Sequence, residues 1–151
     1  MSTRCTTHFQ YQGRTQAIVY RHSDGYPEGH GVDLFAFFAD VQANVPDTRC
    51  SDPTYLAAKL VVWLAAAFVK RYDPATYGPL RITEERFLAL YGPPHPLNFL
   101  SVGVCMEDPG DIDYRYLVHC HDLDPQGFPQ VTCVAVRTGL LVPIPRDDKS
   151  S

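Results

Sequence analysis

The chain has 151 residues, 45% of them hydrophobic and 20% charged, with a formal net charge of −4 at pH 7. That length suits one domain with a proper core, and the composition is that of an ordinary soluble globular protein. The acidic balance, with a pI near 5.8, argues against a protein built to hold nucleic-acid phosphates, which requires a basic face.

The first element expected is a hairpin. Gln16 to His22, or more widely Thr15 to His22, has strand character, and His8 to Gln12 is its candidate partner across Gly13. In that strand Ile18, Tyr20 and His22 share one face, and Ala17, Val19 and Arg21 share the other. A helix follows from about Val32 to Asn44, with an apolar stripe at Leu34, Phe35, Phe38 and Val41, and with Asp33 in its first turn, where the helix dipole favours an anion.

Asp52 and Pro53 make a clear start to a second helix, a cap followed by a proline at the first helical position. It runs to about Tyr72, with Leu56, Leu60, Trp63, Leu64, Ala67 and Phe68 on its most buried side and Pro74 as its stop. The apolar stretch Leu56 to Val69 contains Lys59 and falls short of the ~20 residues that cross a bilayer, so it reads as a buried core helix, with no membrane partner. A shorter helix, Glu84 to Tyr91, has Thr83 as its cap and Gly92-Pro93-Pro94 as its terminator.

The last third changes period. Asn98 to Glu107, Asp111 to His121 and Gln130 to Arg137 read as strands, and the short connections Asp108-Pro109-Gly110 and Asp124-Pro125-Gln126-Gly127 imply an antiparallel meander. The fold expected is α+β: an antiparallel sheet of about four to five strands with two main helices on one face. Residues 1–145 form the domain, and 146–151 are a disordered polar tail.

Cys5, Cys50, Cys105, Cys120 and Cys133 are odd in number and scattered, with no Cys-x-x-Cys, and the N-terminus lacks the apolar run of a signal peptide. Reduced thiols and a cytoplasmic location are the expectation. Cys120 lies between His119 and His121, but neighbours on a strand point to opposite faces, so it reads as a buried structural thiol. The acidic residues Glu107, Asp108, Asp111 and Asp113 lack the EF-hand spacing and read as a solvated turn.

The most distinctive run is Tyr20-Arg21-His22-Ser23-Asp24-Gly25-Tyr26-Pro27-Glu28-Gly29-His30-Gly31, at the corner between the second strand and the first helix. Tyr20, His22, Asp24, Gly25, Tyr26 and Gly29 are the candidate ligand-binding residues: polar side chains converge there, and glycines let backbone approach a ligand. A plain strand–helix connection with His22 and Asp24 satisfying backbone groups is the competing reading. The run lacks the third glycine of the dinucleotide fingerprint and the lysine of the P-loop, and Asp33 would repel a phosphate. His22-x-Asp24 and His119-x-His121 together raise a metal site, which a solvent-facing strand end explains equally well. No cofactor is expected.

The segment from Ile18 to Gly29 resembles a Tyr-x-His-x-Asp-Gly-Tyr-Pro pattern found in short, mostly uncharacterised proteins of bacteria, phages and prophages. The resemblance covers about a dozen residues by pattern alone. It implies a phage- or prophage-linked accessory protein, one that counters host defence. The expectation is therefore a non-enzymatic protein binding a macromolecular partner or a small ligand at the corner. The alternative is a small metal-dependent hydrolase or nuclease using His22 and Asp24. A homodimer pairing exposed sheet edges is left open.

Overall fold

The computed structural model describes residues 2–45, 51–71, 84–93, 95–98 and 101–145. Strands β1 (Cys5–Tyr11) and β2 (Arg14–Arg21) form the expected hairpin. Gln12 and Gly13 turn it with φ of 52° and 78°, the left-handed pair of a type I′ turn, whose twist suits a two-residue hairpin loop. A single π-type turn, Pro27–Gly31, leads into α1 (Val32–Asn44). Next come α2 (Pro53–Arg71) and α3 (Glu84–Tyr91), then β3 (Val102–Cys105), β4 (Tyr114–Leu123), β5 (Pro129–Ala135) and β6 (Leu140–Val142).

The class is α+β, with three α-helices among the described residues. The sheet, however, is mixed rather than antiparallel, and it has six strands rather than four to five, in the order β3-β2-β1-β4-β5-β6. β1 runs parallel to β4 at its centre, and the other pairs are antiparallel. The expected meander of the last third is broken at its first step. β3 pairs with β2 on the far edge, and residues 106–113 cross back to β4. A short Pro/Gly segment is as able to cross a sheet face as to turn a hairpin, and its composition does not separate the two.

The helices cover one face. α1 buries Leu34, Phe37, Phe38 and Val41, so Phe37 takes the core place expected of Phe35. α2 begins as expected: the Asp52 carboxylate accepts from the Tyr55 amide at 3.3 Å and the Thr54 hydroxyl at 3.2 Å. The proposed Thr83 cap lies outside the described residues, as do Cys50 and the tail 146–151.

α2 is only half a core helix. Leu56, Ala57, Leu60, Leu64 and Ala65 are buried, while Tyr55 and Val62 are exposed and Trp63 is half-buried. Trp63 lies against Phe37, and its indole N–H donates to Asp40 at 2.7 Å. Ala67, expected inside, is exposed. The window Pro53–Lys70 is long and apolar enough to cross a membrane by length and composition, with 28% of it buried in this fold. Length therefore does not set it apart from a membrane span, contrary to the expectation from Leu56 to Val69 alone.

The opposite sheet face is closed by the 106–113 crossing. Asp108 reaches down to Arg115, whose Nε donates to it at 2.5 Å, and to His8, whose Nε2 lies 3.3 Å away. This strap is why Thr6, His8 and Ile18, on the face away from the helices, are nonetheless buried. The acidic turn expected here is thus partly a structural device.

Candidate functional site

The alternation of β2 divides the corner between the two faces of the sheet. Ala17, Val19 and Arg21 point toward the helices. Tyr20 and His22 point to the strap side, where the Tyr20 hydroxyl and His22 Nδ1 are 2.8 Å apart. Asp24, beyond the strand end, turns back to the helix side, with its carboxylate 3.9 Å from Arg21 and 3.3 Å from the Tyr26 hydroxyl, which donates to it. The proposed set is therefore split: Tyr20 and His22 form one pair, and Asp24 and Tyr26 another.

The two glycines in the set are packing residues. A Cβ on Gly25 would come within 2.9 Å of Thr3, Arg4 and Cys5, and one on Gly29 would come within 2.6 Å of the Asp24 carbonyl. Gly25 is fastened through its amide to Thr3 at 3.0 Å, and its carbonyl accepts from Tyr116 at 2.7 Å. The left-handed residue of this corner is Asp24 itself, with φ of 58°, a conformation that Asp tolerates better than most residues.

Beside Asp24 lies a polar cluster that the candidate list did not contain. Arg21 Nη1 donates to Asp33 at 2.7 Å and to His30 Nδ1 at 3.2 Å. A guanidinium cannot accept a hydrogen bond, so Nδ1 is the acceptor and Nε2 carries the proton. That N–H donates to Thr7 Oγ1 at 2.6 Å. His30 is fully buried, edge-on to the Tyr116 ring at 4.9 Å. Burial first, and the neighbouring Arg21 charge second, hold it well below the usual histidine range. It is a neutral strut beneath Arg21.

Above this cluster the corner opens into a cavity of about 200 Å³. Arg21, Ser23, Asp24 and Asp33 line one side, and Trp63, Leu64, Ala67 and Phe68 line the other, with Ser101 and Val102 at the β3 end. The sequence signals for the missed members were an arginine alternating with Tyr20, an acidic residue in a helix's first turn, and a histidine between two glycines. Each has an ordinary local explanation, and only their convergence marks a site.

The histidine pairs do not meet. Cys5 sits level with Arg21 and Tyr114, and Gln10 with His119, so His22 and His119 lie at opposite ends of the sheet, roughly 16 Å apart at about 3.3 Å per residue. His119 and His121 do share a face, with ring centroids 6.2 Å apart. His119 Nε2 lies 3.0 Å from the Thr132 hydroxyl, and His121 Nδ1 accepts from the Gln12 amide at 3.0 Å. Among the described residues no three His, Cys, Asp or Glu side chains are grouped to hold a metal ion. Cys120 is buried as expected, and Cys5, Cys105 and Cys133 are also free thiols. Burial raises the Cys133 thiol to about 11, so it stays protonated.

In comparisons with known proteins, no family model matches the chain, and neither a curated protein nor a solved structure matches it.

Proposed function

We propose that this chain is a non-enzymatic accessory protein that binds a small ligand in the corner cavity. The observation that supports this reading is the convergence of charged and aromatic side chains from β2, α1 and α2 on one concavity. Ligand sites combine an apolar wall with a few placed polar groups. The wall here is Trp63, Leu64 and Phe68, and the polar groups are Arg21, Asp24 and Asp33. His30 and Thr7 hold Arg21 from below, so the polar floor is preorganised.

The resemblance of Tyr20 to Pro27 to bacterial and phage proteins suggests the setting: a phage- or prophage-linked protein acting in the cytoplasm against host defence by occupying a ligand or partner that defence needs. Tyr20 and His22, on the strap side, would serve a macromolecular partner rather than the cavity. The rival reading is a metal-dependent hydrolase or nuclease on His22 and Asp24. It has less support, because those two side chains face different sides of the sheet.

A fragment screen on isotope-labelled protein tests the reading. Amide and indole shifts should cluster at Ser23, Asp33 and Trp63. Stoichiometric zinc or manganese in protein purified without added metal, lost on His22→Ala, would overturn it in favour of the enzyme.

A further inference from the structure

The charges around the cavity specify a ligand class, a step that rests on the binding reading above. Arg21 lies deepest, its side chain 13% exposed, against 35% for Asp24 and 34% for Asp33. Its Nη1 is shared between Asp33 and His30, and its Nη2 faces Asp24. The guanidinium's donors are thus turned into the protein, and the more exposed groups are carboxylates. An ionised carboxylate offers about four acceptor positions, so the polar side of the cavity is rich in acceptors.

Two carboxylates against one guanidinium leave a single negative charge on the described lining. An anionic ligand would have to draw Arg21 from Asp33, to which it is bonded at 2.7 Å, and then sit beside Asp24. A cation meets no such obstacle. Trp63 and Phe68 stand across from the carboxylates, and aromatic carbon beside a cation adds to the attraction. The size bounds the ligand as well. A cavity of about 200 Å³ is below the ~300–1,000 Å³ of ordinary drug-sized sites, which leaves room for one ring or a short chain. We infer that the cavity takes a small organic cation, a protonated amine or guanidinium on a short apolar or aromatic body.

The chain's one tryptophan is Trp63, so its fluorescence reads occupancy directly. Three probes of similar shape separate charge from fit: 2-phenylethylammonium, 2-phenylethanol and 3-phenylpropanoate. The ammonium should bind about tenfold more tightly than the alcohol, with the carboxylate weakest, as one partly screened charge contact predicts. Added salt should shrink that preference. Asp24→Asn keeps a residue that accepts the left-handed backbone and should bring the ammonium down toward the alcohol. Asp33→Asn should do the same. Equal or tighter binding of the alcohol or the carboxylate overturns the cation assignment and leaves corner binding standing. A silent Trp63 with all three probes also overturns it, and the labelled-protein screen then judges the corner separately.

Discussion

His30 is held neutral by two effects of the same sign, burial and the Arg21 guanidinium. Its other neighbours are Thr7, a neutral acceptor, and the Tyr116 ring, while Asp33 reaches it only through Arg21. The folded-state pKa therefore lies below the unfolded value of about 6.5. In the window between them the unfolded chain binds the extra proton, so stability is intact above about pH 6.5 and falls as the pH drops through that window. The limiting slope for one such group is about 1.4 kcal/mol per pH unit. Burial also lowers His8 and His119, with the same sign. The comparison that isolates His30 is denaturant unfolding of wild type and His30→Gln at neutral pH and near pH 5. The variant should be less stable at neutral pH but lose less on acidification; an unchanged pH dependence would show that His30 is not the buried neutral group. Little of this was visible in the chain. His30 stood in the glycine-rich run, but Thr7 lies 23 residues earlier, and no local pattern says that a β1 hydroxyl meets its ring. Asp24 and His22 illustrate the opposite error. They are close in sequence, yet the end of β2 sends them to different faces.

The elements with local signals were legible, and their bounds follow from those signals. Val32–Asn44 and Glu84–Tyr91 match the helices expected from apolar spacing and flanking glycine or proline. The start of α2 follows from Asp52 and Pro53. What spacing could not supply was the depth of each face. Trp63 lies in line with Leu56 and Leu60 on α2, but its indole leans outward to Asp40 instead of entering the core. The β1–β2 hairpin shows the same division. Gly13 announced a turn, and the structure adds that Gln12 is left-handed as well, at φ of 52°. Gln is an indifferent occupant of that conformation, and Asn is preferred there. Gln12→Asn should therefore stabilise the fold by about 0.5 kcal/mol, within the range for relieved backbone strain. The amide that donates to His121 is backbone and survives the change. A shift of the urea midpoint to higher concentration with unchanged slope is the expected reading; a shift downward would mean that the Gln12 side chain has a role of its own.

At the scale of the whole molecule, strand order was the part that sequence could not convey, because it depends on which non-neighbours pair. A meander β3-β4-β5 and the observed β3-β2-β1-β4-β5-β6 use the same strands with the same alternation. They differ in where 106–113 goes. In the observed fold it crosses the sheet and brings Asp108 onto His8 and Arg115, so His8 is buried on a face that has no helix. The two orders make opposite statements about β1. In the meander, β3 would occupy the place beside β4 that β1 holds, and β1 would be paired on one side only. Successive backbone amides of a strand point alternately to its two sides. A β1 paired only with β2 would then show every second amide unprotected. In the observed order β1 lies between β2 and β4, and consecutive amides from Thr6 to Phe9 all have a strand beside them. Native-state hydrogen exchange should therefore find that whole run slow, together with Tyr116 and Val118, because central strands open only near the global unfolding free energy. Leu141 and Val104, on the edge strands β6 and β3 and largely exposed, should exchange much faster on their outward-facing side. An alternating fast–slow pattern along β1 would return β3 to β4, remove the crossing strap, and leave the burial of His8 without a cause.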